Sequence, residues 1–317
     1  TAGKTMQITI AQKAQFRGVG LHSGAAVRLV ILPAPVDHGI VFVRTDLDGA
    51  RIPARWDHVT PSQLCTLLDN GEGATVSTVE HVMAALTGTG INNAVVEVNG
   101  PEVPILDGSS APFVRGILEA GLRQQNAPLR AIRVLREVEV QQGEAYARLS
   151  PADHLEIHFD IDFVDAAIGH QEKRLDMANG TFVHELMDSR TFCRKADVVK
   201  MQESGLALGG TYLNAVVFDG DKVLSPGGLR HRDEAVRHKM LDAVGDLALA
   251  GAPLLARYTG HRAGHAMTNR LLRALFAQPD AWEWVTLTPT MESRLPGAGV
   301  LASAQRIAAA TRQLAVA

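Results

Sequence analysis

The sequence predicts an α+β fold made of two halves, each a β-sheet accompanied by helices. Short β-branched runs divided by Gly, Pro and Asp turns fill Gln7 to Val98 and return from Arg130 onward. Segments with helical patterning follow or accompany these runs in each half, an α+β arrangement. The chain of 317 residues is long enough for two modest cores.

Taken in order, Ala26 to Ile31 and Gly39 to Val43 read as strands, and Gly18 to Gly24 (GVGLHSG) as the turn before them. The GxGxxxG spacing, with no helix following, favours a strand-connecting turn over a nucleotide loop. Ser77 to Leu86 reads as a helix: Ser77 with Glu80 three residues on has the form of a capping box, and helix formers continue to Gly88. Asn93 to Val98 is a strand. Pro104 to Phe113 (PILDGSSAPF) is a turn entering a helix at Ala111 to Ala120, with Asp107 structural. Polar Arg123 to Leu129 reads as a linker. Strands are then expected at 130–140, 144–149, 155–163 and 214–217, helices at 233–249 and 268–277, and a strand at 283–287. No sequence repeat relates the halves, so any likeness between them is structural. The Ala-rich stretch after Pro289 reads as a surface helix or a disordered tail.

Composition narrows the function. A net charge of −3 without any block of like charges gives no footprint for nucleic acid. Cys65 and Cys193 are singletons, which excludes a disulfide framework or a thiolate metal cluster and fits a reducing cytoplasm. Neither has a base beside it in sequence, so no nucleophilic role is expected. The longest apolar stretch, Leu247 to Ala256, is broken by Gly251 and Pro253 and falls far short of the ~20 residues of a membrane span. The start, TAGKTMQIT, has no signal-peptide pattern.

The stretch Arg237 to Asp246 (RHKMLDAVGD) carries the most chemistry. On a helix His238, Asp242 and Asp246 stack along one face at i, i+4 and i+8. An imidazole and a carboxylate one turn apart can share a metal ion, and a mixed N/O set with one more imidazole suits zinc. The alternative is a surface pair worth a few tenths of a kcal/mol. His81 is the best candidate for a third ligand because Glu80 stands beside it, and a carboxylate next to a metal can take a proton from water. Glu80 has an equally good second reading, as the capping-box partner of Ser77. His265, expected in a loop before a helix, is the candidate for a second proton-transfer group. Thr191 offers a hydroxyl to an oxyanion, although most threonines only pack or cap.

In combination these segments resemble a known family. GVGLHSG at 18–24, STVEH at 77–81, PILDGSSAPF at 104–113, RTF at 190–192, LALGG at 206–210, RHKMLDAVGD at 237–246 and AGHAMTN at 263–269 are similar, in order and spacing, to the zinc-dependent UDP-3-O-acyl-N-acetylglucosamine deacetylases of lipid A synthesis in Gram-negative bacteria. The resemblance covers residues 6–288. It implies two similar two-layer domains, each a sheet packed on two helices, with the active site and its zinc between them. The first would span 1–126, the second 127–300, and 301–317 would be a tail.

The resemblance further implies His81, His238 and Asp242 as zinc ligands, Glu80 as the general base, and His265, supported by Asp246, as the group assisting the leaving amine. Thr191 would polarise the acetamide, while Lys239, Phe192, Phe163 and Gly210 would contact substrate. The substrate is then a UDP-linked acylated amino sugar, and a cytoplasmic monomer is expected. An insertion at about 194–217 would form an apolar passage for the fatty chain. Here the sequence departs from the family: Cys193-Arg194-Lys195 replaces the usual aromatic and apolar residues, and Val164-Asp165-Ala166 differs from the usual polar turn. Two rival readings are a zinc amidohydrolase of a different sugar amide and a non-catalytic UDP-sugar or acyl-chain binder with a structural metal.

Overall fold

A computed structural model describes residues 5–301 and Gln313. The fold is α+β, with two sheets that repeat one arrangement. In the first, the strand order is 14–19, 26–33, 94–98, 40–44, 50–53. In the second, 138–142, 145–151, 254–261, 156–162 and 170–176 pair in the same order. The directions agree as well: each central strand, 94–98 or 254–261, is antiparallel to the neighbour on one side and parallel to the neighbour on the other. Arg130–Val134 and Trp282–Thr286 extend the second sheet from the start of its central strand.

The helices fall in equivalent places. Helix α1 (Glu80–Gly88) precedes the first central strand and α2 (Ala111–Ala120) follows it; α3 (Lys195–Glu203) belongs to the insertion; α4 (Glu234–Leu247) precedes the second central strand and α5 (His265–Phe276) follows it. Each of α1's residues except Thr87 is buried, as expected of a helix enclosed on all sides. It packs on α2 and on α4, and α4 packs on α5. The main apolar core therefore runs through both halves, from Ile31, Phe42 and Val96 through Met83 and Val244 to Ile157, Tyr258 and Leu271, with a small separate cluster at Leu129, Ala131, Leu255 and Leu287.

One residue sets how closely the central helices meet. A Cβ placed on Gly245 of α4 would lie 2.0 Å from the Glu80 carbonyl oxygen and 3.2 Å from the Ala84 nitrogen of α1. Only glycine permits that backbone approach.

Several sequence expectations are corrected. Arg123 to Leu129 is not a linker: Leu122–Pro128 is a strand paired antiparallel with Met6–Ile10. The expected strand at 130–140 is two, Arg130–Val134 and Val138–Gln142. Within the second sheet, two strands escaped the sequence reading. Leu254–His261 was hidden by the apolar run that precedes it, and His170–Asp176 is a polar edge strand paired on one side only, where charged residues are common. The capping box does not form: among the described residues no side chain caps α1, and the Ser77 hydroxyl donates to the Pro101 carbonyl at 3.2 Å. His265 is the first residue of α5 rather than part of a loop. After Pro289 a short helix, Pro289–Glu292, is present; apart from Leu301 and Gln313, the expected tail at 301–317 lies outside the described residues.

Candidate metal centre and its cavity

The close crossing of α1 and α4 brings His81 to His238 and Asp242. The two imidazoles meet edge to face, with ring centroids 4.9 Å apart. His81 Nε2 and His238 Nε2 stand 3.3 and 3.2 Å from Asp242 Oδ1. All three residues are buried, and one ligand atom from each lies within 4.8 Å of the others, so the group could hold a metal ion. Asp242 Oδ1 is buried without a hydrogen-bond partner among the described residues. An orphaned carboxylate oxygen is costly, and a cation held between it and two imidazole nitrogens removes that cost. Ser189 fixes one ligand, its carbonyl lying 2.9 Å from His238 Nδ1, which leaves Nε2 of the neutral ring as the free donor.

Glu80, Asp246 and His265 adjoin these three. His265 Nδ1 lies 2.6 Å from Asp246 Oδ2, and His265 Nε2 stands 3.7 Å from Glu80 Oε1 and 3.8 Å from Asp242 Oδ2. Glu80, Asp242 and His265 form a second group able to hold a cation, sharing Asp242 with the first. Thr66 ties the carboxylates in place: its backbone N–H donates to Glu80 Oε2 at 3.1 Å and its hydroxyl to Asp246 Oδ1 at 2.6 Å. Glu80 therefore faces the site instead of capping its helix.

The electrostatics follow from crowding three carboxylates and three histidines out of water. Burial pushes the Glu80 carboxyl up to about 7, an effect that His265 and His81 only partly offset. Burial opposes a charge on His265, but Asp246, Glu80 and Asp242 outweigh it and raise the ring to about 10. Asp242 is driven the other way: burial would raise it, yet the charges of His238 and His265 hold it well below the usual carboxylate range.

The group opens into a cavity of about 890 Å³ lined by His238, Lys239, Asp242 and His265, by Phe163, Thr191, Phe192 and Gly210, and by the insertion. Phe192 packs edge-on against Phe163 and Phe218, with centroids 5.7 and 6.0 Å away. The RTF segment is positioned by Arg190, whose guanidinium makes two hydrogen bonds of 2.8 and 3.0 Å to buried Glu234 of α4. Lys239 Nζ lies 5.9 Å from the centre of the Phe159 ring. All eleven residues singled out in the sequence thus meet at this centre or line its cavity.

Other contributors were not foreseen. Thr66 and Ser189 sit in segments with no motif. His22, read only as part of a turn, lines the cavity; its Nδ1 accepts the Ala207 N–H at 3.2 Å, and its Nε2 is buried without a partner among the described residues. Glu102 holds that turn by accepting the backbone N–H groups of His22 and Ser23, both at 2.9 Å. Nothing local in sequence announces such a contact across some eighty residues. Both cysteines are free, and burial raises each thiol, Cys193 to about 11, which leaves it a poor nucleophile.

Comparison with known proteins agrees with the geometry. A sequence model of the UDP-3-O-acyl N-acetylglycosamine deacetylase family matches residues 7–277. A relative from Phenylobacterium zucineum (strain HLK1), named UDP-3-O-acyl-N-acetylglucosamine deacetylase, is 51% identical over 278 residues, covering 87% of this chain and 95% of its own. Relatives of the same name from Shewanella sp. (strain W3-18-1) and Shewanella oneidensis are each 46% identical over 283 residues, 88% of this chain and 92% of theirs. With the family match spanning most of the chain and the relatives matching nearly end to end, the chain belongs to the UDP-3-O-acyl-N-acetylglucosamine deacetylase family.

Proposed function

We propose that this protein hydrolyses the N-acetyl group of a UDP-linked, 3-O-acylated N-acetylglucosamine, releasing acetate, with zinc held by His81, His238 and Asp242. The observation that carries the reading is the orphaned Asp242 oxygen between two buried imidazole nitrogens, at a cavity large enough for a sugar and an acyl chain. Two nitrogens and one oxygen suit zinc and leave a coordination position open. When bound, zinc would polarise the acetamide carbonyl and make water easier to deprotonate.

The residues around it divide the remaining work. Glu80, which Thr66 holds in a water-poor setting, takes the proton from the attacking water. The Thr191 hydroxyl stabilises the charge that develops on the acetamide oxygen. His265, oriented and kept protonated by Asp246, donates a proton to the departing amine. Lys239, Phe163, Phe192 and Gly210 position the UDP-sugar, and the insertion at about 194–217 receives the fatty chain. The division of the chain at 126/127, a cytoplasmic setting as a monomer and a place in lipid A biosynthesis of a Gram-negative bacterium belong to the same proposal. Among the described residues no helix is long and apolar enough to cross a membrane.

The test is an acetate-release assay on UDP-linked N-acetylglucosamine substrates with and without the 3-O-acyl group, alongside metal analysis. Zinc at one per chain and strong preference for the acylated substrate are expected. Acetate release that ignores the acyl group would favour the amidohydrolase of another sugar, and binding without release would favour a carrier.

A further inference from the structure

Segments 164–166 and 193–195 meet in space. Asp165 lies in the turn joining Glu156–Asp162 to His170–Asp176, and its carboxylate accepts a hydrogen bond from Arg194 Nε. Arg194 ends the strand Phe192–Arg194 and stands immediately before α3, so the bond grips the insertion where its helix begins. The other Asp165 oxygen accepts the Gly220 N–H at 3.0 Å, and the Ala167 N–H donates to the Gly220 carbonyl at 2.9 Å. One buried carboxylate therefore ties both the entry to α3 and the 219–222 hairpin to the second sheet. Its neighbour Val164 is 88% exposed while Asp165 is 8%, so the turn presents its acid inward.

Further along, the insertion is tied to the first half. The Leu208 and Gly209 N–H groups donate to the carbonyls of His22 and Leu21 at 3.2 and 2.9 Å. A Cβ on Gly209 would lie 2.1 Å from the Gly20 carbonyl oxygen, so the approach is backbone to backbone. The insertion thus lines the cavity while held at its start and at 208–209.

Arg194 lines that cavity with apolar Leu64, Val198, Val199 and Met201 and with charged Lys195 and Asp197. A guanidinium on an apolar wall opposes entry of a hydrocarbon, because the chain strips its water and supplies no partner. Asp165 is the closer partner, at Arg194 Nε, and Asp197 of α3 adds a contact of 3.5 Å at Nη1.

We propose that Asp165 masks the Arg194 guanidinium, so that Arg194 serves as a wall of the passage that takes a long acyl chain. Both are positioning residues, and neither touches the reacting amide. The inference rests on the deacetylase reading of the site.

The test compares a long-chain and a short-chain 3-O-acyl substrate in Asp165→Asn, whose side-chain oxygen can still accept the Gly220 N–H. kcat/KM for the long chain falls about tenfold or more, carried by KM, while the short-chain value stays within about twofold of wild type. The double variant Asp165→Asn/Arg194→Met, with no charge to mask, regains the long-chain value. Arg194→Met alone also keeps the long-chain preference, which holds the proposal to account if Asp165→Asn is too unstable to assay. Equal losses on both substrates, no recovery in the double variant, or lost preference in Arg194→Met would each overturn the pair. Wild-type protein that releases acetate from neither substrate would overturn the functional reading instead.

Discussion

Gly245→Ala puts a methyl group where α4 lies against α1. Its Cβ would sit 2.0 Å from the Glu80 carbonyl oxygen and 2.9 Å from the carbonyl carbon, against an ordinary carbon–oxygen contact of about 3.3–3.6 Å. Both nearest atoms are backbone, so no side chain can swing aside and the helices must part by roughly 1 Å. Two effects compete in stability. Alanine favours a helix over glycine by up to about 1 kcal/mol, whereas overpacking a tight core costs about 1–3 kcal/mol. With a rigid backbone contact the second wins, and the melting temperature falls by about 2–4 °C per kcal/mol of net loss. Activity suffers more, because metal ligands tolerate displacements of about 0.2 Å and a 1 Å misplacement of reacting groups costs about a hundredfold in rate. Thermal unfolding, zinc content and acetate release measured on one preparation check all three. A variant that melts at or above the wild-type temperature, holds one zinc per chain and turns over normally would refute the close-crossing account of how the site is assembled.

Other expected outcomes follow from the same geometry. Glu80→Gln keeps an oxygen for the Thr66 N–H, so it retains zinc and stability while kcat drops by about 10²- to 10⁴-fold; normal turnover would return Glu80 to a structural role. His265→Ala lowers kcat by a similar factor with zinc retained, and full activity would remove His265 from the chemistry. Removing the metal with a chelator abolishes acetate release and lowers the melting temperature, and zinc at a hundred times its Kd restores about 2.7 kcal/mol; an unchanged melting temperature would count against a metal in this site. Glu234→Gln leaves the buried Arg190 without its charged partner, costing about 3–5 kcal/mol in a chemical denaturation series. Burial would raise the Glu234 carboxyl, but Arg190 outweighs it and holds it below its ordinary 4.5. Its contribution is therefore complete above pH 4.5 and is lost as pH falls through the lower folded value, so the stability gap between wild type and variant narrows in acid.

Much of the site was legible because its pieces are local. His238, Asp242 and Asp246 share a helix face by spacing alone, and Glu80 and His81 are adjacent. Seven motifs in one order then joined segments that no periodicity could connect. Helices with strong patterning were placed well, α2 to the residue. The misreadings lie where partners are distant: Leu122–Pro128 is a strand only because Met6–Ile10 pairs with it, and Ser77 follows Pro101 rather than its own helix. The choice between cap and base for Glu80 could not be made from STVEH. Thr66, contributed by another segment, turns its carboxylate into the site.

By itself, the sequence determined which atoms are available for chemistry, since ligand type and helical spacing are properties of neighbouring residues. The tertiary structure decided what those atoms face. Helix α1 meets α4 because Gly245 lacks a side chain, which brings His81 within 3.3 Å of Asp242. Asp165 meets Arg194 across the turn and the insertion, so two segments that look independent in the chain become one contact. Such pairings depend on long-range packing, and no residue's own neighbours in sequence encode them.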